Sequence, residues 1–102
     1  MSILEDLFGI IPCRPEQRPE VEHLLDELMR IGRTEDYLSE TRGGAFNKDY
    51  RHIRARQIGT RLDEIGGLEL MEYVSRRIKK KLGKNLGSHL DYAWTEIGHW
   101  MP

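Results

Sequence analysis

Arg54, Gln57 and Arg61 carry the most chemistry in this chain, because helical phasing sets them within an apolar arc rather than behind it. A charge on such an arc needs a partner, since an unpaired buried ion costs several kcal/mol, roughly 3 to 5. Two chemistries meet that need. Arginines separated by whole helical turns can converge on a phosphate or on a partner's acidic side chain, forming an anion or carboxylate site. Alternatively, their stems lie along the core edge and the guanidiniums form ion pairs with Asp26, Glu27, Glu69 or Glu72 of the same chain.

Glu20-x-x-His23 and Glu96-x-x-His99 both have the Glu-x-x-His spacing of di-iron helical bundles. All four residues fall at or beyond the polar edge of their helical stripes, whereas a di-iron site directs them inward with two further glutamates. They read as surface residues, and no metal or other cofactor is expected. Catalytic sets are equally lacking in the sequence. His23, His52, His89 and His99 are scattered over polar faces, and neither Cys13 nor any serine has a base and an orienting acid at a helical interval. Gly43-Gly44 and Gly66-Gly67 are isolated pairs without the Lys-Ser/Thr of a phosphate loop. The chain is therefore expected not to be an enzyme.

The run Arg76, Arg77, Lys79, Lys80, Lys81 and Lys84 invites a nucleic-acid reading, together with Arg51, Arg54, Arg56 and Arg61 on the preceding helix. Helix electrostatics explains the run as well: Glu69 and Glu72 precede it and the cations close the helix, the polarity that complements the dipole. The calculated pI of 6.4 also departs from the usual excess of positive charge in nucleic-acid domains. Binding of nucleic acid through these basic faces is thus the alternative reading.

The elements that must position these residues are helical. Ile31-Gly32, Ile65-Gly66 and Ile97-Gly98 each close an amphipathic run, at offsets of 34 and then 32 residues, which suggests one helical unit used repeatedly. Phe8-Gly9 and Leu82-Gly83 end two further runs. Ser2 and Glu5 have capping-box spacing at the head of a short apolar helix. Pro12, Pro15 and Pro19 mark an extended connector. Val21, Leu24, Leu25, Leu28 and Met29 form a helical stripe. A short helix follows Thr34, and Gly43-Gly44 forms a loop.

Asn47 can cap a long helix with Tyr50, Ile53, Ile58, Leu62 and Ile65 on one side, and the pattern crosses Gly59 in phase. This predicts an unbroken helix with a close neighbour at Gly59. Gly66-Gly67 then turns the chain in a tight hairpin into the stripe Leu68, Met71, Val74, Ile78 and Leu82. Asn85 or Ser88 can cap a last helix with Leu86, Leu90, Ala93, Trp94, Ile97, Trp100 and Met101 on one face. No stretch alternates with period two, so the expected class is all-α: a compact antiparallel helical bundle or short α-α superhelix of about five helices.

The 102 residues fit one domain, with residues 1–12 as an apolar N-terminal arm, 13–19 as the Pro-rich connector and 20–102 as the helical core. Charge is uneven. Residues 1–50 hold six Lys/Arg against eleven Asp/Glu, and residues 51–102 hold ten against six. Such polarity suits head-to-tail association or an anionic partner. The apolar runs fall well short of the ~20 residues of a membrane span, and Glu5 and Asp6 stand where a secretory signal would carry lysines. The lone Cys13 favours a reducing cytoplasm. Apolar residues are in surplus at both ends, notably Leu4, Leu7 and Phe8 at one and Trp94 and Trp100 at the other. Either the arm completes the core, or these residues form a contact surface for a protein partner or a homodimer. The expected function is accordingly a small interaction or self-associating module.

Overall fold

Proline placement starts the first helix. The structure, a computed structural model, describes residues 11–33 and 49–100, so the helices expected near residues 2–9 and 34–41 and the Gly43-Gly44 loop lie outside the described residues. Pro15–Gln17 forms one 3₁₀ turn, in which the Arg18 N–H donates to the Pro15 carbonyl, and helix α1 (Arg18–Arg33) follows directly. Pro19 is tolerated there because the first-turn N–H groups have no intrahelical acceptor. Val21, Leu24, Leu25, Leu28 and Met29 are buried, as the stripe requires.

Helix α2 (Asp49–Leu82) holds helical backbone throughout except at Gly67, where φ is 66° and ψ is −156°. That region is open essentially to glycine alone. A straight 34-residue helix would extend ~51 Å at ~1.5 Å per residue, yet the longest dimension of the molecule is 39 Å. Gly67 therefore folds α2 into two arms, 49–66 and 68–82. Helix α3 (Lys84–Ala93) follows Gly83, whose φ is 98°.

Side-chain contacts fix the directions. Glu20 meets Arg61 and Glu27 meets Arg54, so α1 runs antiparallel to the first arm. Lys79 packs against Gly87 while Ser75 meets Asp91, so α3 runs antiparallel to the second arm. Trp94 meets Ala55, and Gly98 faces Asp63, which sets the tail after α3 parallel to the first arm. Ile11, α1, both arms, α3 and the tail share one apolar cluster.

The described residues carry three helices and no strand, so the all-α class stands while the count of about five helices is not supported. The Ile-Gly pairs do not play one repeated role. Gly32 is inside α1 and buried, Gly66 keeps helical backbone, and Gly98 comes after α3 has already ended. Neither Asn85 nor Ser88 caps α3, because the cap position is Gly83 and no side chain bonds there. Nor does the last helix reach Trp100. Arg56 takes the carbonyls of Ala93 and Thr95, and the Thr95 hydroxyl donates to Tyr92 O, so the α pattern gives way to tight turns with Glu96 at φ 72°.

Candidate interaction surface

The tryptophans expected on a contact face lie inside the molecule. Trp94 is fully buried and Trp100 is 8% exposed, their rings meeting edge to face at 5.1 Å. Each indole N–H finds a backbone acceptor, Ala55 O at 2.9 Å for Trp94 and Asp91 O at 3.0 Å for Trp100. A satisfied, buried indole pair is core, which corrects the reading of these residues as part of an exposed surface. Leu4, Leu7 and Phe8, the other half of that reading, lie outside the described residues. Ile11, counted with the arm, belongs to the core, and the Pro12 carbonyl sits against Gly66.

Arg54 and Arg61 stand on the edge of the first arm that faces α1. Arg54 donates from Nε and Nη2 to the two carboxylate oxygens of Glu27, and from Nη1 to Gln57 Oε1 at 3.3 Å. Arg61 grips Glu20 in the same two-pronged way at 2.7 and 3.0 Å, with Glu64 at 3.4 Å. The hydrogen bonds from arginine hold the Glu27 and Glu20 carboxyls below the ordinary carboxylate value. The same bonds raise both guanidiniums above theirs. A free phosphate would have to displace these carboxylates first.

Their place at the edge has a simple cause. Tyr50 and Ile53, expected on the buried side, are 73% and 59% exposed, so the true apolar stripe runs through Ala55, Ile58 and Leu62 and the arginines flank it. Ile53 and Ile58 are five residues apart, roughly 140° around a helix of ~3.6 residues per turn.

Beside Tyr50 and Ile53 the outer face of the first arm forms an open groove of about 440 Å³, lined by His52, Ile53, Arg56, Gln57, Thr60, Arg61 and Glu64. Tyr92, 48% exposed, completes the set of exposed large hydrophobic residues among those described. A second groove of about 490 Å³ lies between the second arm, α3 and the tail. Within it the Ser75 hydroxyl donates to Asp91 Oδ1 at 2.9 Å and Lys79 Nζ lies 2.9 Å from Asp91 Oδ2. Ser75 is 2% exposed and already hydrogen-bonded to that acid, which makes it a structural pin between helices rather than an open nucleophile.

Sequence reasoning missed two residues, Arg56 and Ser75. The sequence places Arg56 on a basic face, but its Nη1 donates to Ala93 O and Thr95 O and closes the end of α3. The Glu-x-x-His pairs stay apart: Glu20 is held by Arg61, and no cluster of three or more His, Cys, Asp or Glu among the described residues is placed to hold a metal ion. Cys13 is a free, half-buried thiol whose pKa burial pushes up, so it is a weak nucleophile. No described helix is long and apolar enough to cross a membrane. Comparison with protein-family models, with characterised proteins and with solved structures returns no match, so the chemistry of its own surfaces carries the functional reading.

Proposed function

We propose that the chain is a non-enzymatic helical module of the reducing cytoplasm that pairs with a second copy of itself through the outer face of the first arm of α2. The observation that carries this reading is the exposure of Tyr50 and Ile53, at 73% and 59%, one turn apart on the same face. Single exposed apolar residues are ordinary, whereas two that share a face with a groove mark a contact surface. Tyrosine, with neighbouring arginine, is also enriched where binding energy concentrates. Tyr50, Ile53, Gln57 and Thr60 recur at intervals of three, four and three residues, the seam along which two helices can share side chains. The stripe carries no formal charge, so a second copy matches it without an opposed field.

Static light scattering tests the proposal. The wild-type chain should give twice its 12.0 kDa mass at tens of micromolar, and Ile53→Glu should give the single mass with an unchanged helical circular dichroism spectrum. A wild-type chain that stays at 12.0 kDa throughout the concentration range overturns it.

A further inference from the structure

The C-terminal ends of α1 and of the second arm of α2 lie side by side, and between them is a cleft of about 270 Å³. Arg30, Arg33, Arg77 and Lys81 line it over Leu25 and Met29, with Asp26 as the one acid in the lining. Leu25 and Met29 are core residues, 7% and 9% exposed, whose outer atoms form an apolar lining. Arg77 is held at the wall by the Tyr73 hydroxyl at 2.9 Å, with that ring 5.9 Å from its guanidinium carbon. This bond orients the charge without neutralising it. Arg30 is likewise engaged within the chain. Arg33 and Lys81 are exposed at the rim, and the exposed Lys80 and Lys84 extend the same field.

Cations in the last turns complement the carbonyl ends of α1 and α2. That effect acts on each helix alone and does not require cations of two helices to face one another across an apolar cleft. Arg54 and Arg61 show what this chain does with arginine when it only needs a tie between helices: each receives a two-pronged carboxylate. In the cleft Arg30 is already engaged and acts on Glu27, while Arg33, Arg77 and Lys81 share Asp26 as the one acid of the lining, an arrangement that gains from an added anion.

We propose that this cleft binds an acidic peptide segment, an apolar side chain of which enters against Leu25 and Met29 while flanking carboxylates meet Arg33, Arg77 and Lys81. The lining separates this occupant from a nucleic acid. A phosphate backbone wants a continuous track of exposed cations, but Arg54, Arg56, Arg61 and Lys79 are all tied to groups of this chain. A lone phosphate would leave the apolar lining uncovered.

Fluorescence anisotropy with a labelled twelve-residue peptide of glutamates around leucines at helical spacing tests the proposal. The full chain should bind it saturably, about tenfold more weakly when Arg33→Glu and Lys81→Glu are combined, a loss of ~1.4 kcal/mol. Arg33→Gln with Lys81→Gln serves as the milder pair should charge reversal disturb folding, and circular dichroism reports folding for both. A peptide with serine in place of leucine should bind at least several-fold more weakly. Ile53→Glu should leave peptide affinity unchanged, which separates this result from the pairing proposed above. Affinity unmoved by both double variants, equal binding of the serine peptide, or tighter binding of a single-stranded oligonucleotide overturns the proposal. So does binding that appears only after Glu35, Asp36 and Glu40 are neutralised, because the cleft would then belong to this chain's own acidic stretch.

Discussion

At the scale of single residues, Gly59 and Trp94 form the tightest fit in the described structure that the sequence announced. The apolar phase crossing Gly59 required a close neighbour there, and the neighbour is the Trp94 indole. A Cβ at Gly59 would lie 2.6 Å from Trp94 Nε1 and 2.7 Å from its Cδ1. Trp94 is fully buried and its N–H is committed to Ala55 O, so it has no room to retreat. Gly59→Ala should therefore lower stability in urea denaturation by ~1 to 3 kcal/mol from overpacking, although alanine is favoured in helices by ~1 kcal/mol. A more stable alanine variant would show that the indole moves freely.

The arginines were legible as conflicts that pairing with carboxylates would resolve, but the partner of each was legible only in part. Glu27 was among the carboxylates expected for Arg54, whereas Glu20 was not foreseen for Arg61, because the register between α1 and α2 depends on packing that no local pattern encodes. The pairs also set a pH response. Both carboxyls are held below their ordinary value of 4.5, first by the arginine hydrogen bonds, against an opposing effect of burial. A depressed carboxylate contributes stability that is complete above the unfolded-state value and lost as pH falls through the folded one. Stability attributable to these pairs should then be flat from neutrality to about pH 5 and decline below about pH 4.5. Glu27→Gln should cost about 1 kcal/mol at neutral pH and flatten that decline, as measured by urea titration at pH 7 and pH 3.5.

At the scale of elements, the decisive position is Gly67. Sequence pattern located a turn at Gly66-Gly67, and the structure narrows it to the second glycine. Gly67 sits at φ 66° with nothing near its missing Cβ, so the barrier to substitution is backbone strain rather than crowding. Gly67→Ala should cost about 1 to 3 kcal/mol in chemical denaturation, while preserving the helical spectrum because both arms remain helical. The last element was misread for a reason that periodicity does not register. Residues 94–100 keep apolar side chains at helical spacing, and Trp94, Ile97 and Trp100 do reach the core. They arrive there through turns, since Arg56 reaches in from the first arm and takes two of the carbonyls. Arg56→Met should fray that end and cost about 1.5 to 3 kcal/mol, the range for hydrogen bonds to a charged group. Hydrogen exchange would locate the loss at residues 93–97, and protection there equal to wild type would count against the capping role.

At the scale of the whole molecule, the helical class and most of the core stripe in α1 were legible because apolar spacing reports which face is covered. Which element covers it was not legible. Tyr50 and Ile53 have the right spacing to join a buried side yet point away, while the tryptophans that looked like a surplus complete the core. One apolar cluster joins Ile11, all three helices and Trp100, with no second core among the described residues. That arrangement has a thermodynamic consequence. The chain has two tryptophans, both at the α3 end of the cluster, whereas circular dichroism at far-ultraviolet wavelengths reads every helix. If the cluster breaks as a unit, the two signals must trace the same denaturation curve. Ile11→Ala, far along the chain from either indole, should shift both curves together by about 2 to 5 kcal/mol. Separate midpoints, with fluorescence persisting after helix content has fallen, would mean that α1 and the connector leave while the α2–α3 unit remains closed.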